Sequence, residues 1–425
     1  MNNASKAAAG STNGAPPAKA ARTRGERAGL LLLVLAGLTA IGPAMTDMYL
    51  AAFPEMSDDF GVGASQLQLT LTSSMIGTGV GQLLLGPLSD RYGRRPPLVI
   101  GMALFTAASL LCAFAPSYEW FLAGRVAQGL TGAAGVVISR AIVRDLFSGD
   151  DFVRYFAKIM LVFGLAPVLA PLVGAGLLGL GSWQYIFYAL AAFALLLLLG
   201  SATVVGETLP PERRSSGGVL GALKLMRLAV RDRRFVLYSL GNSFAFAAMF
   251  AYIGSFSFVV QDVFGGSSFL FALLFGINAC GFVAAGQISA KLVGRVRPHT
   301  LVIFGSGLQV VATLVLGAYV LLTNSGGGTF GLVVVQICCL LLMTSLGTLM
   351  PNSTGLALEG QAESAGTAAA LMGCAQLLAG AIAAPLVGVA GSDTAVPLGC
   401  ITAVCAVVGF LFFTQAKRVP SMDLS

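Results

Sequence analysis

The chain is 425 residues long, 56% hydrophobic and only 10% charged, with 54 glycines. About a quarter of the residues of a soluble domain are charged, so this composition excludes a water-soluble globular protein and indicates one that lives in a membrane. The net charge of +7 would suit nucleic acid, but the basic residues line the gaps between apolar segments, which assigns them to topology and to anionic lipid headgroups.

Residues 1–28 are rich in Ala, Gly, Ser, Lys and Arg and read as a disordered cytoplasmic tail, too polar to pack. The apolar run that follows is long for the core of a signal peptide, and eleven more come after it, so it is read as the first membrane helix. Twelve apolar segments are predicted, at 29–52, 65–88, 96–114, 119–141, 155–179, 183–204, 236–260, 268–290, 299–322, 330–350, 366–390 and 395–415. Most are about 20 residues or longer, enough to cross about 30 Å of hydrocarbon. The expected architecture is an all-α polytopic membrane protein of twelve helices in two pseudo-symmetric six-helix domains. Its expected parts are the tail 1–28, a first domain 29–205, a cytoplasmic loop 206–234, a second domain 235–416 and a tail 417–425. Within the loop, residues 219–230 alternate leucines with Lys224 and Arg227, a pattern that predicts a short amphipathic helix on the membrane surface.

Lys and Arg fall in alternate gaps only. They crowd the N-terminal tail, the regions after the second, fourth, sixth and eighth segments, and the C-terminal tail; the opposite gaps hold none. That places both termini in the cytoplasm. Arg125, inside the fourth segment, is the exception.

Chemistry along the chain starts with Asp47-Met48-Tyr49-Leu50, whose acid lies inside an apolar stretch. Asp47 is expected about six residues, roughly 9 Å of helical rise, from the outer end of its helix. Arg125 is expected at similar depth in the fourth segment, so the two are expected to interact directly or through water. Burial favours the neutral acid and a nearby guanidinium the carboxylate, opposing effects of the kind a proton-coupled cycle uses. An intramembrane charge is costly and needs a partner or water. The second segment ends on Gly86-Pro87-Leu88-Ser89-Asp90-Arg91-Tyr92-Gly93-Arg94-Arg95, and a fainter copy, Gly286-Gln287-Ile288-Ser289-Ala290-Lys291, ends the eighth. The fourth carries Arg125-Val126-Ala127-Gln128-Gly129 and is followed by Arg144 and Asp145. The fifth carries a Gly/Pro run bounded by Gly164 and Gly174, with Pro167 and Pro171, which frees backbone carbonyls and lets a partner helix approach. The seventh is rich in Phe, including Phe246 and Phe250, with Asn242.

Four of these segments, Asp47–Leu50, Gly86–Arg95, Arg125–Gly129 and Gly164–Gly174, resemble the major facilitator superfamily, and within it the twelve-helix drug/proton antiporters, most of all the bicyclomycin/chloramphenicol-resistance exporters. The first-helix pattern of those exporters has a proline directly after the leucine; here Ala51 takes that place and Pro54 comes later. The resemblance implies a secondary transporter in the bacterial cytoplasmic membrane that exports small amphipathic antimicrobials in exchange for protons by alternating access. It implies Asp47 and Arg125 as the proton-coupling pair. It implies Gly86, Asp90, Arg91, Gly93, Arg94, Arg144 and Asp145 as a cytoplasmic gate, and Gly164, Pro167, Pro171 and Gly174 as the antiporter motif. Tyr49, Gln128, Asn242, Phe246, Phe250 and Asn278 are the candidate substrate-cavity residues. The expected partners are a small-molecule drug, protons and membrane lipids, without nucleic acid, in a monomer.

Gln68, Gln309, Gln336 and Gln376, like Gln128 and Asn278, read more readily as helix bridges than as ligand contacts. The seven cysteines lie in apolar stretches without metal-ligand spacing, and His299 is the single histidine, so no metal, other cofactor or catalytic group is expected. A proton-coupled importer or facilitator of a small nutrient is the alternative reading, which the Gly/Pro run disfavours.

Overall fold

The computed structural model describes residues 18–147, 149–214, 230–323, 328–359, 365–389, 394–416 and 418. The helices in chain order are α1 (Ala18–Asp47), α2 (Phe53–Phe60), α3 (Ala64–Tyr92), α4 (Arg95–Ala113), α5 (Tyr118–Leu146), α6 (Gly149–Leu178) and α7 (Gln184–Thr203). They continue as α8 (Arg233–Phe258), α9 (Ser268–Leu292), α10 (Pro298–Thr323), α11 (Gly328–Leu358), α12 (Ala365–Val389) and α13 (Val396–Ala416). Apart from the eight-residue α2, these are the twelve expected long helices, six before the central polar loop and six after it.

Among the described residues, ten helical runs are long and apolar enough to cross a membrane, and α6 adds the shorter apolar piece Gly164–Leu178. The span absent from that set is α3. Gln68, Thr70, Thr72, Ser73 and Ser74 are all buried along it, so its polar groups face other helices and not lipid. α1 starts at Ala18, within the stretch expected to be disordered. Its Ala, Arg and Lys residues favour the helix, and extending an existing helix needs no new nucleus. Residues 1–17, and residues 219–229 of the predicted surface helix, lie outside the described residues.

Packing repeats between the halves. In the first, α3 and α4 pack on α5, α4 on α7, and α1 on α5 and α6. In the second, α9 and α10 pack on α11, α10 on α13, and α8 on α11 and α12. Small residues make this possible: a Cβ on Gly129 of α5 would stand 2.0 Å from the Ser74 carbonyl oxygen of α3, and one on Gly347 of α11 would stand 2.1 Å from that of Phe282 on α9. Lipid supplies no hydrophobic drive for helix association, so such close backbone packing takes its place. The halves meet where α3 packs on α12 and α6 on α9. The outer surface carries exposed Leu33, Ile100, Phe114, Leu196, Phe304 and Phe330, as a lipid-facing wall requires.

Candidate functional site

The first helix breaks at Asp47. α1 ends there, a five-residue 3-10 turn follows (Met48–Ala52), and α2 resumes with Pro54 in its first turn. Proline is well tolerated there because the first helical N–H groups have no partner to lose. The helical run therefore continues past the turn to Phe60, through the exposed acids Glu55, Asp58 and Asp59. The Asp47 side chain is 6% exposed, and Oδ1 accepts a hydrogen bond from Thr46 Oγ1 at 2.9 Å.

The 3-10 turn is gripped from two sides. A Cβ on Gly174 of α6 would stand 1.8 Å from the Met48 carbonyl oxygen, so the end of the Gly/Pro run lies flush on the residue after Asp47. From the other half, Gln261 Nε2 donates to the Ala51 carbonyl at 3.1 Å. The opposite end of that run, Gly164, faces Val283 of α9, while Pro167 and Pro171 lie inside α6.

Arg125 is fully buried and binds neutral partners. Nη1 donates to Gln128 Oε1 at 2.6 Å and Nη2 to Ser74 Oγ at 3.2 Å. The guanidinium carbon lies 4.2 Å from the centroid of the Tyr49 ring, an attractive cation–π geometry. Gln128 Nε2 passes the network to Ser109 Oγ at 2.8 Å, and Tyr49 Oη pairs with Thr70 Oγ1 at 3.1 Å. Arg125 Nε has no hydrogen-bond partner among the described residues. Asp47 and Arg125 form no described salt bridge; Tyr49, two residues beyond Asp47, is the residue of that turn whose ring meets the guanidinium. Tyr49 and Gln128 thus partner Arg125 from fully buried positions.

In the second half, Tyr252 Oη accepts from Asn278 Nδ2 at 2.8 Å, and Gln336 Nε2 donates to Asn278 Oδ1 at 2.8 Å. Ser353 Oγ donates to Asn242 Oδ1 at 2.6 Å. Asn242 and Asn278 are fully buried, Phe250 is 8% exposed, and Phe246 is half-buried against it, with ring centroids 4.9 Å apart.

The predicted gate assembles at the end of the molecule that carries the basic gaps. Arg94 Nε donates to Asp145 Oδ2 at 2.8 Å, and Nη1 reaches both Ser89 Oγ, at 2.9 Å, and Asp90 Oδ1. Arg91 lies over the ring of Tyr92. Arg144 is exposed and lines, with Gly86, Asp90, Arg94 and Arg140, a cavity of about 380 Å³. Gly93 sits at φ 94°, where a side chain is strained.

Glu207, not singled out from the sequence as a gate residue, completes the cluster. Its Oε1 accepts from the backbone N–H groups of Arg94, Thr208 and Leu209 at 2.8, 3.0 and 3.0 Å, and Oε2 accepts from that of Arg95 at 3.3 Å. Burial alone would raise its pKa, but these backbone donors hold it below the ordinary carboxylate value. No spacing rule links Glu207 to residues more than a hundred positions earlier; its one sequence signal is its place at the start of the central polar loop.

The family model for the Major Facilitator Superfamily matches residues 34–385. The chain is 38% identical over 387 residues to an uncharacterised MFS-type transporter, YdgK, of Bacillus subtilis, covering 90% of this chain and 94% of the relative. It is 30% identical to a bicyclomycin resistance protein homolog of Haemophilus influenzae, covering 92% and 98%. It is 25% identical to the multidrug resistance protein MdtL of Salmonella heidelberg, covering 89% and 93%. Among solved structures it resembles an inward-facing bacterial homolog of the human lysosomal transporter Spinster, with a TM-score of 0.75 at 16% identity, covering 92% and 97% of the two chains. It also resembles the Escherichia coli xylose transporter XylE, with a TM-score of 0.72 at 17% identity, covering 93% and 98%. Those two likenesses concern the fold alone.

Proposed function

The chain belongs to the Major Facilitator Superfamily, and we propose that it exports small amphipathic antimicrobials of the bicyclomycin and chloramphenicol type across the bacterial cytoplasmic membrane in exchange for protons. The observation that carries this reading is the helix break at Asp47. A buried carboxylate ends α1, and the turn after it lies flush on Gly174 of the Gly/Pro run. Similarity to a bicyclomycin resistance protein homolog and to MdtL supports the choice of cargo.

In this reading the two units are residues 29–205 and 235–416, both termini are cytoplasmic, and one chain suffices because its pathway runs between its own halves. Asp47 takes a proton from outside and releases it inside. Charging or neutralising it alters the turn that Gly174 and Gln261 hold, which links protonation to the movement of one half against the other. Arg125, with Nε unpartnered, keeps one donor for the Asp47 carboxylate in another conformation. The cluster of Asp90, Arg94, Asp145 and Glu207 works the cytoplasmic gate, with Arg91 and Arg144 at its rim. The neutral groups Asn242, Asn278, Phe246 and Phe250 supply a cavity wall for weakly charged cargo.

The test is drug accumulation in cells expressing wild type or Asp47→Asn at equal level, using bicyclomycin, chloramphenicol and a cationic dye, with and without a protonophore. Lowered accumulation of one compound, abolished by both the protonophore and Asp47→Asn, is the predicted result. Raised accumulation in wild-type cells would favour a proton-coupled importer instead.

A further inference from the structure

Five described hydrogen bonds join the two halves, and all lie at the end without basic residues. One is the Gln261 contact to the turn after Asp47. The other four come from residues 65, 68 and 72, which share one face of α3 by helical spacing. Ser65 Oγ donates to the Pro385 carbonyl at 3.2 Å. Gln68 Nε2 donates to the Gly254 carbonyl at 3.0 Å, and its Oε1 accepts from Gly388 N at 3.1 Å. Thr72 Oγ1 donates to the Ala381 carbonyl at 2.7 Å.

The last acceptor has a specific origin. Within a helix, the carbonyl of residue 381 is normally taken by the N–H of residue 385. Residue 385 is Pro385, inside α12, and proline has no N–H to give. The Ala381 carbonyl therefore lacks its donor in its own helix, and a hydroxyl of the other half supplies one. Close packing holds the pair in register: a Cβ on Gly388 would stand 2.5 Å from Ser65 Cα, and one on Gly380 would stand 2.9 Å from Met75 Cε. Beside Gln68, between Ala64, Ser255, Phe258 and Gly388, about 10 Å³ remains, room for about one water molecule.

We propose that Ser65, Gln68 and Thr72, with Pro385, form the outer gate, and that Pro385 acts by keeping the Ala381 carbonyl available to Thr72. In the closed state α3 occupies these backbone groups. In the open state water replaces α3 at a wetted mouth, so each bond is an exchange of partners, and losing one shifts the closed-to-open ratio by only about two- to tenfold. A gate of this kind opens without breaking an ion pair. These are positioning residues, since none need touch cargo or proton. The inference rests on the relative motion of the halves and not on the proposed drug or its exchange for protons.

The experiment uses the full chain in lipid nanodiscs, with spin labels at Asp58→Cys and Phe269→Cys in a cysteine-depleted background, and reads the distance distribution across the outer end. Thr72→Val and Pro385→Ala are each expected to move the population about two- to tenfold towards the longer distance. Thr72→Ser is expected to restore the wild-type distribution. The double variant is expected to match Pro385→Ala, because the new N–H satisfies the Ala381 carbonyl whether the gate is open or shut and leaves the Thr72 hydroxyl nothing further to supply. Unchanged populations in Thr72→Val, or additive shifts in the double variant, would overturn the proposal. If Pro385→Ala fails to fold, Thr72→Val beside Thr72→Ser decides it: a shift by Val that Ser restores supports the gate, and equal behaviour of the two refutes it.

Discussion

The turn after α3 and the turn after α9 share a glycine at positive φ and differ in what they hold. Gly93 and Gly294 both sit at φ 94°, and Ser89 and Ser289 are buried four and five residues before them. In the first turn Arg94 joins Ser89, Asp90 and Asp145, and Glu207 closes over Gly93. In the second, Ala290 stands where Asp90 does, Asn352 Nδ2 donates to Ser289 Oγ at 2.7 Å as Arg94 does to Ser89, and nothing lies within 4 Å of a Cβ on Gly294. The membrane interior is divided the same way: Asp47 and Arg125 belong to the first half, while the second offers the neutral network of Tyr252, Asn278 and Gln336. Basic residues flank both turns, Arg91, Arg94 and Arg95 in the first and Lys291, Arg295 and Arg297 in the second, but the acids that bind them, Asp90, Asp145 and Glu207, belong to the first copy. In our account, proton coupling and its gate belong to the first half and neutral contacts to the second.

The sharpest challenge to that division is Arg125→Lys. Lysine carries the charge but not the planar fork that reaches Gln128 and Ser74 while lying over Tyr49. Losing a charged hydrogen bond, worth about 1.5–3 kcal/mol, should lower export roughly ten- to hundredfold at equal expression, read by drug accumulation. The paired variants Gly93→Ala and Gly294→Ala compare the turns directly. Each should cost about 1–3 kcal/mol for a side chain held at positive φ. Gly93→Ala should lose more, because its Cβ meets the Glu207 carboxylate at 2.4 Å; thermal unfolding in detergent measures the difference.

Glu207 adds a pH dependence confined to the first turn. Its folded pKa lies below the ordinary value of 4.5, so its stabilisation is complete above that value and is lost as pH falls through the lower folded one. Melting curves of wild type should therefore converge on those of Glu207→Gln as the solution is acidified. The smallest effect is expected for Asn278→Ala, about 1 kcal/mol of stability and an unchanged pH profile of export. A shifted profile would place proton coupling in both halves.

The span pattern was readable because apolar length and basic gaps repeat along the whole chain. α3 was recognised despite its buried Gln68, Thr72 and Ser74 because Arg91, Arg94 and Arg95 mark its end. The end of the first helical run is harder to read. Pro54 resembles a helix end, yet it sits in the first turn of α2 after a 3-10 step, and the chain stays helical beyond it to Phe60. The partners of Arg125 are legible in part: Gln128 lies one helical turn onward, while Ser74 comes from a neighbouring helix that no spacing rule points to. The grip of Gly174 on Met48, the bond from Thr72 to Ala381 and the clasp of Glu207 all use backbone groups, which carry no signature in residue type.

The most direct measurement is proton movement itself, in everted membrane vesicles energised to an acidic interior and followed with a pH-sensitive dye. Adding chloramphenicol or bicyclomycin should release protons from vesicles containing wild type, in proportion to drug, and release none from vesicles containing Asp47→Asn. Proton release of equal size from both, or none from wild type with either drug, would contradict antiport through Asp47.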